Sequence, residues 1–424
     1  METESSFVQR LLNLSGLSPA KALCLCLGVG FVLCLPGLGL GLVIDDYMHV
    51  AVLERLLPIG GPLDLFDWAP GDPAAIQGRI AQGPYPWTTD PNVKVVFCRP
   101  LSSALIALDH ALFKHCVPVQ HLHSTLWYCL MILACHVLYR RALPGAVALL
   151  ALLLFTVHES HLFAAVWLAN RNALVAAVPA LFGLCAHLRW REDGWKPGLP
   201  LSLLGYAAGL LGGETALGVL AYLAAYEFFA GPGSKARRLA AFLPGTALVL
   251  LYLAAYKTLG YGASGSGFYI DPIGEPWKYL SEAPLRMVAL LGALLVRFPA
   301  DLWAAGSFIR PAAVCSGVAG VALMGMLLKR HWSLVTAPER RLLSWMVPGA
   351  LLSMLPVAAT IPTSRLLLVP SVGVCALVAV TLHAWWQARK SARMPRPHAA
   401  VCWFLVVVHL FVPLAVWPGA TAAF

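Results

Sequence analysis

Uninterrupted apolar runs close to 20 residues long recur from one end of this chain to the other. A helix needs about 20 such residues to cross the ~30 Å hydrocarbon core of a bilayer. The runs are continuous rather than alternating, which excludes a transmembrane β-barrel. With 59% hydrophobic and only 12% charged residues in 424, a soluble body of this size could not hide its apolar surface. The expected fold class is therefore all-α: one polytopic transmembrane domain over 1–424. About eleven spans are expected, at 22–44, 118–138, 143–157, 172–188, 199–213, 215–230, 239–258, 311–328, 342–360, 366–386 and 399–418.

Charge orients these spans. With the N-terminus inside, the short inner loops hold Arg10, Lys21, Arg140, Arg141, Arg189, Arg191, Lys196, Lys235, Arg237, Arg238, Lys329, Arg330, Arg340, Arg341, Arg389, Lys390, Arg393 and Arg396. Most acidic residues then fall outside, among them Asp45, Asp46, Glu54, Asp64, Asp67, Asp72, Asp90 and Asp109. This is the positive-inside pattern. The net charge of +10 is thereby accounted for without nucleic acid, which would call for a basic soluble domain that the chain lacks. The first run follows Arg10 and Lys21 and passes straight into Asp45, as a signal anchor does. Of the eleven cysteines, nine lie in apolar runs, where Cys behaves as a small hydrophobe. Cys98 and Cys116 fall in the first large loop and could pair in an oxidising compartment. No CxxC pair is present for a thiolate metal site.

Two segments break the pattern of short loops. Residues 45–117 form a long outer loop rich in Pro, Gly and Trp, with helical stretches near 47–57 and 99–114; loops of this length are usually functional. Residues 259–310 open on a Gly/Ser stretch and continue into an apolar run, 284–300, that carries Arg286 and Arg297. A crossing there would place Lys329 and Arg330 outside, so an outer-surface or re-entrant helix is expected.

The unusual polar residues near span ends all fall on the outer side. Asp45 and Asp46 end the first span, where paired carboxylates are tolerable only at the surface or beside a polar cavity. Arg99 opens RPLSSALIALDHALF; His158, Glu159 and His161 follow the third span, and Arg171 closes that loop. Glu214 separates the fifth and sixth spans, and Arg365 precedes the span at 366–386. Such convergence marks a site for an anionic lipid carrier. Arg99, Arg171 and Arg365 would bind phosphate oxygens, because the guanidinium fork matches them and stays charged. An aspartate would take the proton of an acceptor hydroxyl. For each arginine the competing reading is a side chain snorkelling from a helix end. Asp45 and His49 share a helix face, and with His158 and His161 could hold a divalent cation, against the simpler reading of hydrogen-bonded interfacial histidines; no metal ligands are assigned. His121 and His123 open the second span as capping or lining groups. Glu214 would orient a cation or an arginine, or simply make a turn.

The order of these motifs resembles a known family. A DD pair after the first span is followed by RPLSSALIALDHALF, HLHSTLWYCLMILACHVLYRR, HESHLFAAVWLANRNAL, GGETALGVLAYLAAYEFF and PTSRLLLVPSVG. It looks like the membrane part of GT-C glycosyltransferases, and of the O-mannosyltransferases carrying tetratricopeptide repeats among them. The resemblance implies a GT-C-like fold with a large first extracytoplasmic loop and a sugar donor on a polyprenyl phosphate. It further implies inverting transfer to a glycan, lipid or protein acceptor, in a bacterial inner membrane or an equivalent secretory membrane. It places the catalytic base at Asp45 or Asp46, with a lean to Asp45, and a lipid-phosphate contact at Arg365. Three departures stand out: Gly213-Glu214 replaces a Lys-Glu pair, His158-Glu159 replaces His-Pro, and the repeats are missing from this chain. Two other functions stay open: a transporter or flippase for a lipid-linked intermediate, and a non-catalytic subunit of a glycan assembly complex.

Overall fold

The computed structural model describes residues 17–57, 59–391 and 396–422; Arg10 and Arg393 lie outside the described residues. Helices dominate. In chain order they are α1 (Pro19–Cys34), α2 (Asp45–Leu53), α3 (Pro73–Ala81), α4 (Pro100–Phe113), α5 (Val117–Ala142), α6 (Gly145–Val157), α7 (Leu162–Val166), α8 (Asn172–Asp193) and α9 (Gly198–Gly212). There follow α10 (Thr215–Phe229), α11 (Lys235–Thr258), α12 (Pro276–Val296), α13 (Arg310–His331), α14 (Ala337–Val357), α15 (Leu368–Ser391), α16 (Arg396–Val406) and α17 (Val412–Ala422).

Among the described residues, eight helices are long and apolar enough to cross a membrane, or nine if the bent pair α6–α7 counts as one span. The count departs from expectation in identifiable places. α9 and α10 have 15 residues each, so each rises only about 22 Å at 1.5 Å per residue, short of a full hydrocarbon core. α6 is interrupted by a 50° bend at His158. α14 has length enough but opens on Glu339, Arg340 and Arg341. Conversely α12 begins at Pro276, earlier than the apolar run suggests, and its 21 residues are sufficient to span.

The two flanks of α12 meet the same part of the fold. Just before it, Tyr269 pairs with Thr360 and the Ile270 amide donates to the Ala359 carbonyl at 2.7 Å. Just after it, the Asp301 carboxylate accepts from the Ser364 amide at 3.2 Å. Both flanks therefore touch one short segment, 359–364. Along its length α12 lies against α13, with Gly292, Gly317 and Gly320 letting the two helices approach closely.

One face of the molecule, termed here the loop face, gathers the long connections. β1 (Asp67–Pro70), β2 (Lys94–Val96) and β3 (Gly262–Ser264) form an antiparallel sheet in that order, with Asp67 opposite Val96 and Lys94 opposite Ser264. Residues 45–117 and 259–275, separated by over 140 positions, are thus parts of one cap. Its small core is Leu65, Phe66 and Phe97, with Trp68, Val95 and Tyr269 packed around. The opposite, basic face carries ion pairs among the helix ends: Arg141 with Glu192 and Asp193, Arg341 with Glu192, and Arg191 with Glu227. Between the faces a continuous apolar core runs through α5, α6, α8, α10, α14 and α15. Cys98 and Cys116 are both free thiols, so the disulfide considered for the loop is not formed.

Candidate functional site

The two adjacent aspartates have different fates. α2 starts at Asp45, and the residue before it, Ile44, is held at φ 45°, a conformation costly for a β-branched side chain. Asp46 is 3% exposed and turns inward. Its Oδ2 accepts from the Val43 amide at 2.9 Å and its Oδ1 from the Ala169 amide at 2.7 Å. It staples the end of the first span to the turn that carries Arg171. Asp45 is half-exposed, and its carboxylate has no hydrogen-bond partner among the described residues. Burial raises its pKa above the usual aspartate value, while attraction from Arg365 and Arg99 opposes the rise. Burial likewise lifts Asp46 to about 6, against the pull of its two amide donors.

Arg365 lies on the turn Ser364–Leu366, which packs against Glu159–His161. Its guanidinium sits 5.6 Å over the Trp167 ring and has no carboxylate in contact. Three buried polar atoms in this region have no partner: Trp167 Nε1, on the ring under Arg365, Thr363 Oγ1, two residues before it, and Asn170 Nδ2, three residues after Trp167. Buried donors are normally satisfied, so these are exceptions. The neighbouring Ser364 is clamped by Asp301, which fixes the turn.

Arg99 approaches Asp45 from the cap. Its Nε donates to Glu214 Oε2 at 2.8 Å, and Glu214 Oε1 accepts from the Tyr256 hydroxyl at 3.1 Å. The guanidinium lies 4.9 Å from the Phe66 ring and 4.4 Å from that of Phe97. Its Nη1 and Nη2 make no hydrogen bond among the described residues and stay open. Glu214 can reach Arg99 because Gly213 has φ 154° and because α9 lies directly on α8: a Cβ on Gly212 would stand 2.8 Å from the Val175 carbonyl oxygen. Ser102 ties α4 to the same point by donating to the Gly212 carbonyl at 2.7 Å.

Arg171 has another role from the one expected of a phosphate ligand. It is buried, and its Nη1 pairs with Asp109 Oδ2 at 2.6 Å. Asp109 also binds His123 Nδ1 at 2.8 Å, and Trp127 Nε1 donates to His123 Nε2 at 3.0 Å. The chain Trp127–His123–Asp109–Arg171 holds the turn whose Ala169 amide holds Asp46. His121 Nε2 meets the Gly41 carbonyl at 3.2 Å and joins the same support.

The histidines separate. His49 is stacked on Trp68 at 5.0 Å, meets Phe66 edge-on, and leaves Nε2 unpartnered. Burial, with Arg99 and Arg171 nearby, lowers its pKa to about 3, so it is neutral. His158 and His161 stack on each other at 5.0 Å in a different cluster. His161 reaches Ser371 Oγ at 2.8 Å; His158 meets Arg297 Nη1 at 2.9 Å from Nδ1. Arg297 also pairs with Glu159 at 3.2 Å and meets His409 Nδ1 at 2.9 Å. The joint metal site considered for Asp45, His49, His158 and His161 does not assemble. Among the described residues no group of three or more His, Cys, Asp or Glu is placed to hold a metal ion.

Sequence reasoning did not single out Trp167, Asn170, Thr363, Asp301 or His409, whose types are unremarkable in isolation. Arg297 carried a usable signal: an ionisable residue in an apolar run invites a functional reading. No protein-family model matches this chain, and a search of curated proteins finds no match.

Proposed function

We propose that the chain is an integral membrane glycosyltransferase of GT-C type, taking a sugar from a polyprenyl-phosphate donor at the loop face. The observation that carries this reading is the pairing of Asp45, a carboxylate with no hydrogen-bond partner, with Arg365, a guanidinium with no carboxylate in contact. An acceptor hydroxyl would bind against Asp45, which takes its proton as the oxygen attacks the anomeric carbon. The bond from that carbon to the phosphate oxygen breaks in line, and the polyprenyl phosphate leaves. Negative charge grows on the departing phosphate, where Arg365 and the donors Trp167 Nε1, Asn170 Nδ2 and Thr363 Oγ1 would meet it. Arg99, held by Glu214, would turn its open nitrogens toward sugar or acceptor hydroxyls. Asp46, Asp109 and Arg171 position this set. In this reading the loop face is extracytoplasmic, α12 is re-entrant, and the setting is a bacterial inner membrane.

The test is transfer of radiolabelled sugar from a panel of polyprenyl-phosphate sugars by the purified protein in detergent. Wild type turns over one donor and a folded Asp45→Asn variant does not. Full turnover by that variant sinks the assignment of the base.

A second reading is favoured by one feature. Arg297, His158 and His409, with the partly exposed Glu159, form an ionisable cluster beside the bent helix α6–α7 and a π-helical turn at Val407–Phe411. Broken helices around buried charge suit a transporter of lipid-linked intermediates. In proteoliposomes, movement of a fluorescent polyprenyl-phosphate lipid between leaflets, with no bond cleavage, would favour that reading over the transferase.

A further inference from the structure

The corner that follows α12 closes on the turn carrying Arg365 from two sides. Arg297, the first residue after the helix, is held at φ 61°, a conformation costly for a residue with a Cβ, and Pro299 stiffens the next bend. Strain of this kind persists where the surroundings over-determine it. Here Arg297 Nη1 pairs with Glu159 at 3.2 Å and Nη2 meets His409 Nδ1 at 2.9 Å. The turn that holds Glu159, Glu159–His161, packs against the turn Ser364–Leu366. Four residues after Arg297, Asp301 reaches that second turn directly. Its Oδ1 and Oδ2 each accept from the Ser364 amide at 3.2 Å, and Oδ2 also accepts from the Ser364 hydroxyl. The stretch leading into the turn is held by the same arm of the chain. The Tyr279 hydroxyl donates to the Leu355 carbonyl at 2.7 Å, Arg286 Nη1 to the Ala358 carbonyl at 3.3 Å, and the Ile361 amide to the Phe268 carbonyl at 3.0 Å.

We propose that Asp301 is a positioning residue for Arg365: it fixes the backbone from which that guanidinium is presented to a lipid phosphate. The inference rests on the transferase reading, in which Arg365 meets the departing phosphate. Asp301 spends its carboxylate on Ser364 and forms no ion pair with Arg365, so the arginine is placed without being neutralised. With both Ser364 donors on one carboxylate, the chain immediately before Arg365 has one setting. Arg365 has no carboxylate of its own, so its direction is set by that backbone and by the Trp167 ring beneath it. A guanidinium meets phosphate through a fixed fork, which makes the contact sensitive to direction. Asp301 is itself exposed, so its removal uncovers no core and its effect is local.

The experiment is a double-mutant cycle on the full-length protein in detergent, read as binding of polyprenyl phosphate by tryptophan quenching. Hydrogen exchange of the peptide that contains Ser364 is followed alongside. Arg365→Gln should weaken binding by about tenfold to a hundredfold, and Asp301→Ala by about tenfold, the lower end of that range. The two changes together should bind no worse than Arg365→Gln alone, because Asp301 acts only through Arg365. Asp301→Asn keeps an acceptor oxygen for Ser364 and should restore most of the binding. In Asp301→Ala the Ser364 amide should exchange faster while the unfolding temperature stays at the wild-type value. A general structural role predicts losses that add in the double variant, and additive losses overturn the proposal. Wild-type binding by Asp301→Ala, with Arg365→Gln impaired, overturns it too and leaves the transferase reading standing. Wild-type binding by Arg365→Gln is a different failure: it removes the phosphate ligand from the transferase reading, and the role of Asp301 falls with it.

Discussion

Neighbouring aspartates, one bonded and one free, give the sharpest test of this structure. Asp46 accepts two backbone amides, Val43 at 2.9 Å and Ala169 at 2.7 Å, both in buried surroundings. Asp46→Ala strands both donors. An unsatisfied buried donor costs about 1–3 kcal/mol, so the loss should be about 2–6 kcal/mol. Asp45 accepts no such bond, so Asp45→Ala should change stability by less than about 0.5 kcal/mol, the usual bound for a site without a named structural role. The assay is thermal unfolding in detergent followed by tryptophan fluorescence, paired with sugar transfer from polyprenyl phosphate. Asp45→Ala is expected to unfold with wild type and to transfer nothing. Asp46→Ala is expected to unfold several degrees earlier, with residual transfer in the fraction that stays folded. Equal stability of the two variants would refute the division of labour, whatever the transfer result.

Four further outcomes follow from the same geometry. Arg365→Gln should weaken donor binding by about tenfold to a hundredfold, the value of one charged hydrogen bond of about 1.5–3 kcal/mol, with unfolding unchanged; donor titration by fluorescence quenching checks it. Arg297→Met should destabilise by about 3–5 kcal/mol, because Glu159 would be left as an uncompensated charge within the fold; thermal unfolding in detergent reads it. Asp46 has a folded-state pKa raised from 3.8 to about 6, so its contribution to stability is fully present below pH 3.8 and lost as pH rises through 6. Unfolding measured at pH 5 and 7.5 should show wild type favoured at the lower pH, with that difference shrinking in Asp46→Asn. Glu214→Gln should free Arg99 and raise the KM for the sugar-bearing substrate more than it lowers kcat, measured by steady-state transfer.

Apolar run lengths made the helical class legible in the sequence, because hydrocarbon thickness imposes a length that composition alone reveals. They said less about boundaries. α9 and α10 read as spans from their composition, yet each is only 15 residues, and their ends are set by the Gly212–Gly213 contact with α8. The flanks of α12 left no local signal of their meeting: their contacts, Tyr269 with Thr360 and Asp301 with Ser364, join segments 63 or more residues apart. The union of 45–117 and 259–275 in one sheet left no local signal either, since three-residue strands carry no usable period.

The site shows the same limit at atomic scale. Residue type and position put Asp45, Asp46, Arg99, Arg171 and Arg365 into one group, and by type they are interchangeable. What separates them is partnership. Asp46 is claimed by an amide 123 residues away, Arg171 by Asp109 on another helix, and Arg99 at one nitrogen by Glu214. Asp45 and Arg365 remain after those claims are subtracted, each without a hydrogen-bonded or ion-paired partner of its own, and close enough that Arg365 restrains the pKa of Asp45. In the proposed reading this open carboxylate and guanidinium would receive the acceptor hydroxyl and the lipid phosphate. A ternary complex of acceptor and donor would satisfy both groups at once, whereas either substrate alone would leave one of them unpaired.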